Sequence, residues 1–311
     1  MGEIIKVKTA DLQEWKELRS NYIGGSDAAA VVGLNPYSSA FSLWAEKTGR
    51  ISGFEGNLAT EVGTFLEDFV AQKFAQVTGK KVRKCNLSIL NSDYPFAIAN
   101  IDREIVGEDA GLEIKTTDTL NLKKFKGGEY PENYYVQMVH YMAVTGKKRW
   151  YLAVLIGNKE FKWFVLERDE SEIEALMKAE ADFWEYVKRD VPPEPDGLKA
   201  TSDALKCLYE YSDDAVVDLF LHTSDIDQYI ALGKQIKALE QARNKAANRV
   251  KAFMADAGGG ECEQYFVSWQ SGVRRTFDAD RFAADNPEID LSDYYNETIT
   301  RTFRVTERKG A

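Results

Sequence analysis

Apolar residues recur along this chain with two periods, and the changes of period mark out its elements. Leu12, Trp15 and Leu18 fall on one helical face of residues 9–20. A longer stripe runs through residues 60–78, where Val62, Phe65, Leu66, Phe69, Val70, Phe74 and Val77 share a face and Gly79 supplies the stop. Between residues 149 and 166 the pattern becomes that of a β-hairpin, two strands around Gly157-Asn158. Ile173, Leu176, Met177, Phe183, Trp184 and Val187 then make residues 169–189 an amphipathic helix. These elements predict an α/β (α+β) core over residues 1–190, a mixed sheet flanked by helices. Residues 191–197, Val-Pro-Pro-Glu-Pro-Asp-Gly, read as a linker, and residues 198–311 as a small C-terminal α+β appendage. In the appendage Tyr229, Leu232, Ile236, Leu239, Arg243, Ala246, Val250 and Phe253 alternate in steps of three and four. That is a short heptad seam, which either takes a partner helix or packs on its own domain. Residues 264–269 and 298–305 read as the appendage's two strands.

The candidate chemistry lies in the middle of the first region. In Leu112-Glu-Ile-Lys115, strand alternation sends Leu112 and Ile114 to one face and Glu113 and Lys115 to the other. Asp102 closes the apolar run 96–101, read as the neighbouring strand, with residues 107–111 as the turn, so that pairing brings Asp102 next to Glu113. Two carboxylates held together call for a cation between them, and hard oxygen ligands select Mg²⁺ or Mn²⁺ over zinc. An edge hairpin with a solvated Glu–Lys pair carries the same local pattern. Two further features favour the metal reading. Glu67 sits at the border of the long stripe with Gly63 one turn earlier, and Gln137 is followed one turn on by His140 and Tyr141. Upstream, Tyr22-Ile-Gly-Gly-Ser-Asp27 opens a short helix with Ser26 or Asp27 as N-cap, an end whose free amides suit a phosphate.

Composition narrows the chemistry further. Net charge is −10 with a pI near 5.0, which argues against broad adhesion to nucleic acid and confines any contact to local basic clusters at residues 80–84, 123–126 and 147–149. Two histidines and three widely spaced cysteines leave little material for histidine chemistry, a disulfide framework or an iron–sulfur cluster, so carboxylate chemistry is what remains. The first eight residues lack the apolar core of a signal peptide and no run approaches a membrane span, which places the protein in the cytoplasm.

Asp102, Glu113 and Lys115 match the acid, gap, Glu-x-Lys pattern of the PD-(D/E)xK nucleases. Over about residues 15 to 190 the chain resembles the YqaJ-type viral recombinase nucleases, relatives of lambda exonuclease. The likeness rests on residues 23–37 (Ile-Gly-Gly-Ser-Asp through Leu-Asn-Pro-Tyr), Leu43-Trp44 with Lys47-Thr-Gly49, Gly63-x-x-x-Glu67, Asp102, Glu113-Ile-Lys115, and Gln137 with Tyr141. The resemblance implies a PD-(D/E)xK core in a phage- or prophage-like protein of a bacterial host, resecting linear double-stranded DNA from 5′ ends to leave 3′ single strands for recombination. It assigns one Mg²⁺, for which Mn²⁺ substitutes, to Asp102, Glu113 and the Ile114 carbonyl, with Glu67 steadying a second metal through water. Lys115 would orient the attacking water and Gln137 brace it. Arg19 and Ser26, seven residues apart as in the lambda-type relatives, would grip the 5′-phosphate with Tyr141 nearby, and Phe54 or Leu58 would lie where relatives part the strands. It further implies a ring-like homo-oligomer, trimer or tetramer, working beside a single-strand annealing protein. An endonuclease of the same fold and a non-catalytic module that binds DNA ends are the competing readings.

Overall fold

The computed structural model describes residues 2–306, and the chain divides into two compact units, Met1–Tyr209 and Glu210–Ala311. The first begins with β1 (Ile4–Val7) and α1 (Leu12–Ser20), capped by Asp11, which accepts the Glu14 amide. Then come β2 (Ile23–Gly24), α2 (Gly25–Val31), α3 (Ala40–Lys47) and the long α4 (Leu58–Thr78). Asn57 caps α4 at its start, and Gly79, with φ of 73°, ends it in the left-handed conformation that favours glycine. Five short strands follow: β3 (Val82–Lys84), β4 (Ser88–Asn91), β5 (Ala97–Asn100), β6 (Arg103–Ile105) and β7 (Ala110–Thr117). The unit is completed by α5 (Glu132–Thr145), β8 (Arg149–Ile156), β9 (Glu160–Glu167), α6 (Glu170–Arg189) and α7 (Lys199–Leu208).

The strands form two mixed sheets rather than one. The larger has the order β3-β6-β7-β8-β9, with β7 and β8 parallel and the other neighbours antiparallel; the smaller runs β1-β4-β5-β2, with β2 parallel to β5. Helix α5 supplies Met138, Met142 and Val144 to the core that also takes Trp150, Leu152 and Val154 from β8. On the opposite face Val70 and Phe74 of α4 cover Leu112, Ile114 and Ala153. A third cluster joins Ile23, Phe41, Trp44 and Phe183. Each buried apolar side chain of this size contributes about 1.5–3 kcal/mol, so the strands near the site lie on a well-supported floor.

Several sequence readings are corrected. The strand beside β7 is β6, not residues 96–101, because β5 ends at Asn100 and pairs in the other sheet; Asp102 stands at the crossing from one sheet to the other. The division of units falls after Tyr209, since α7 packs on α3, with the Thr201 hydroxyl 2.7 Å from that of Ser39. Only Val70 and Phe74 of the long stripe in α4 are buried; Val62, Phe65, Phe69 and Val77 remain exposed. Residues 119–125 form a 3₁₀ helix, anchored by buried Phe125 and by Lys162 Nζ donating to the Phe125 carbonyl at 2.8 Å, so the basic cluster at residues 123–126 begins inside a helix.

The second unit holds α8 (Thr223–Met254), the strand pair β10 (Gly259–Glu261) and β11 (Phe266–Ser268), and α9 (Ala279–Asp285). β11 pairs antiparallel with β10, with Gly259 opposite Ser268. Residues 298–305 form no strand; Phe303 instead sets its ring edge-on to Tyr229, 5.2 Å between centroids. Among the described residues no helix is long and apolar enough to cross a membrane.

Candidate active site

Strand β7 places Glu113 and Lys115 on the face turned away from α4, as alternation requires. Asp102, immediately before β6, reaches across to accept the Ile114 amide at 2.7 Å. Glu113 is buried, and its Oε1 takes Lys115 Nζ at 2.7 Å and Gln137 Nε2 at 2.8 Å. The same Gln137 nitrogen donates to the Tyr141 hydroxyl at 2.9 Å, so one turn of α5 fixes both groups. Glu113 Oε2 is buried without a hydrogen-bond partner.

Burial raises both carboxyls above their usual range, and the charge of Glu113 adds to the effect at Asp102, against the pull of Lys115. Burial works against the ammonium of Lys115, but Glu113 and Asp102 outweigh it, so the lysine stays protonated. Two elevated carboxyls with an orphaned oxygen and a neighbouring carbonyl suit a divalent cation; Mg²⁺ is commonly held by one or two carboxylates together with water and phosphate. Among the described residues no three acidic, histidine or cysteine side chains gather as a ready-made cage. Glu67 lines the same cavity, and its carboxylate is paired with the Arg103 guanidinium, which also bonds Asp68 and donates to the Asp102 carbonyl at 2.7 Å. Arg103 was invisible in the sequence pattern, because a single cation on a three-residue strand carries no periodic signal.

Arg19 and Ser26 are brought together: the guanidinium donates to the Ser26 hydroxyl and lies 5.4 Å from the Trp15 ring centroid. The N-cap of α2 is Gly24 rather than Ser26 or Asp27. Asp27 is the third helical residue and reaches back to the Gly24 amide at 3.0 Å. Its carboxylate is held below the usual range by Lys47 and Arg19, which outweigh its burial; the buried Lys47 ammonium stands 2.9 Å away. The sequence pattern gave Lys47 no role, and its place on α3 becomes meaningful only once α3 folds against α2. Gly25 must lack a side chain, since a Cβ there would come within 2.5 Å of the Tyr141 ring. A cavity of about 610 Å³ runs from Arg19 and Ser26 past Tyr141 and Gln137 to Asp102, Glu113, Lys115 and Glu67. Of the basic clusters, Lys80, Arg83 and Arg149 are paired with Glu108, Glu104 and Glu167, whereas Lys84 lines the cavity.

A central mixed sheet carrying Glu113 and Lys115 on β7, with Asp102 immediately before the adjoining β6, is the arrangement of the PD-(D/E)xK fold class. An alkaline exonuclease from Laribacter hongkongensis shares the fold at a TM-score of 0.50 and 21% identity, covering 57% of this chain and 93% of that one; a further structure of that enzyme contains dAMP. The chain belongs to the YqaJ-like viral recombinase domain family, whose model matches residues 14–148. It is 37% identical over 300 residues, 94% of each chain, to the protein YqaJ of Bacillus subtilis. A 53-residue stretch is 40% identical to the protein D345L of African swine fever virus, covering 17% of this chain and 15% of that protein.

Proposed function

We propose that this protein is a Mg²⁺-dependent deoxyribonuclease that resects linear duplex DNA from its 5′ ends, leaving 3′ single strands for phage-type recombination. One observation carries the reading: a single cavity has the hydrogen-bonded Arg19 and Ser26 at one end and the Asp102 and Glu113 carboxyls beside a protonated lysine at the other. Asp102, Glu113 and the Ile114 carbonyl would hold the ion, with Glu67 joining through water. When bound, the metal supplies Lewis-acid activation of water and stabilises charge on the phosphate.

The chain's own groups have distinct tasks. Lys115, kept charged by its neighbours, donates to the attacking water or the phosphate and does not act as a base. Gln137 holds Glu113 in place with one hydrogen and Tyr141 with the other. Burial, with Glu113 and Asp102, pushes the Tyr141 phenol up, so it keeps its proton to offer to DNA. Arg19 and Ser26 grip the terminal phosphate, with Asp27 and Lys47 fixing the arginine. A ring-like oligomer and a single-strand annealing partner belong to the same proposal.

The test is a gel of linear and closed circular duplex, the linear form carrying a 5′-phosphate or a 5′-hydroxyl. The linear phosphorylated form should be degraded fastest and the circle spared. Arg19→Ala should shrink the phosphate preference by about tenfold to a hundredfold, the equivalent of one charge-assisted contact of about 1.5–3 kcal/mol. Ser26→Ala should shrink it less, because backbone amides remain. Cutting of the circle would replace this reading with an endonuclease.

A further inference from the structure

One ionisable pair lies wholly inside the first unit and takes no part in the proposed chemistry. His140 on α5 and Glu180 on α6 are both 0% exposed, although these two helices otherwise give apolar side chains to the main core cluster. Nδ1 of the imidazole lies 2.8 Å from Glu180 Oε1, and Nε2 lies 3.0 Å from the Ile98 carbonyl oxygen of β5. A carbonyl oxygen only accepts, so Nε2 carries a hydrogen; Nδ1 and the carboxyl then share one further proton, as imidazolium with carboxylate or as imidazole with carboxylic acid. Burial works against charge on His140, but Glu180 and the Ile98 carbonyl outweigh it. Glu180 Oε2 is buried without a hydrogen-bond partner, so the carboxyl is committed to the imidazole.

A buried pair of this kind adds little to stability, and apolar side chains of similar volume commonly serve a core as well. Its distinctive property is direction. Apolar contacts are non-directional and let a helix turn or slide a little, whereas two hydrogen bonds from one ring, to α6 and to β5, fix both the rotation and the height of α5. The face so fixed is the one that meets the site. Gln137 lies one turn before His140 and donates to Glu113 at 2.8 Å; Tyr141 follows His140 and sits so close to Gly25 that no Cβ fits there. Ile98 stands opposite Gly24 of β2, and its strand runs on toward Asp102. We infer that His140 and Glu180 are positioning residues for the carboxylate site: by tying one ring to α6 and β5 they hold α5 where Gln137 meets Glu113 and Tyr141 meets Gly25. This role rests on the metal-dependent reading of that site proposed above.

Three full-length chains test it: wild type, Glu180→Gln, and the double variant His140→Leu with Glu180→Leu. In Glu180→Gln an amide hydrogen takes the place of the shared proton and both links remain, so Mg²⁺ affinity, measured by calorimetry without DNA, should stay within about twofold of wild type. The double variant removes both links and leaves no unpaired buried charge, so it should keep its helix content and cooperative unfolding while Mg²⁺ affinity falls about tenfold. Nitrogen NMR of the histidines in metal-free wild type gives a second reading, since the chain has only His140 and His222. His140 should show a protonated Nε2 whose hydrogen exchanges slowly with solvent. A bare Nε2 overturns the pair as drawn. A folded double variant that binds Mg²⁺ as tightly as wild type overturns the positioning role, as does a Glu180→Gln chain no better than the double variant. A double variant that unfolds assigns the pair to stability and overturns the role as well. Wild type that binds no Mg²⁺ overturns the metal reading and the role with it, an outcome told apart by the histidine signal, which needs no metal.

Discussion

The two units carry apolar stripes of similar regularity, and they cover them very differently. In the first, α5 buries its apolar face between the two sheets and α2 and α6, α4 sets Val70 and Phe74 against the larger sheet while the rest of its stripe stays exposed, and three apolar clusters surround the site. In the second, the α8 stripe lies open, with Met254 alone buried among the described apolar residues. Regular spacing therefore identifies a helix and a face, while what covers the face depends on chain folded elsewhere. The contrast also bears on chemistry. A buried Glu113 beside the half-buried Asp102 and Lys115 is a costly arrangement, and it stands in the unit with the full core.

The largest expected effect probes that cost. Asp102→Asn should lower DNA cleavage by about a thousandfold or more, the loss of several kcal/mol of metal-assisted stabilisation, in steady-state assays with Mg²⁺. The metal-free protein should be no less heat-stable than wild type, since asparagine still accepts the Ile114 amide and removes a buried charge. The raised Asp102 carboxyl sets the sign with pH. The folded state binds its proton more tightly than the unfolded state does, so metal-free wild type loses stability as pH rises from the ordinary carboxylate range through the raised value. The advantage of the variant should grow over that same rise; a constant difference would remove the electrostatic account.

Next in size is a matched pair of truncations that addresses the contrast itself. Phe74→Ala in the first unit should cost about 3–5 kcal/mol in urea unfolding. Phe253→Ala in the second should stay within about 0.5 kcal/mol at protein concentrations low enough to separate copies. Equal losses would mean that the α8 stripe is covered within its own chain. A smaller effect is expected at the phosphate grip. Asp27 has a lowered carboxyl, so its stabilising effect is present above its ordinary value of 3.8 and fades as pH falls through the lower folded value. Wild type should therefore exceed Asp27→Asn in thermal midpoint near neutrality and converge with it in acid.

Smaller still is a calorimetric signature of the carboxylate pair. Because both carboxyls are raised, Mg²⁺ binding should displace protons, fewer than one per site where the pair is already mostly ionised. Titrations in two buffers of different ionisation enthalpy would report it, and identical heats in both would contradict the assignment of the ion to Asp102 and Glu113.

The legible parts of the site were those with local periodicity. Glu113 and Lys115 follow from alternation within one strand, and the Gln137–Tyr141 contact follows from one helical turn. The spacing of Arg19 and Ser26 carried information only through resemblance, and the structure does bring the two side chains into contact. Long-range choices were not legible. Residues 96–101 look like the partner of β7, but the chain changes sheets at Asp102, and β6 is too short to announce itself. The proline-rich stretch resembled a boundary, yet α7 beyond it returns to α3 through Thr201 and Ser39. Arg103 and Lys47 acquire meaning only from acids that lie 36 and 20 residues before them in the chain, at Glu67 and Asp27.

Tyr141 has a consequence for the products of the proposed reaction. It touches Gly25 on one side and Gln137 on the other, and Gln137 in turn holds Glu113. The proposed grip for the DNA terminus and the proposed point of scission are therefore joined by a chain of direct contacts. If the proposed reaction holds, such a linkage would act as a ruler: the length of the released fragment would be fixed by packing inside the fold and be the same whatever bases pass through it.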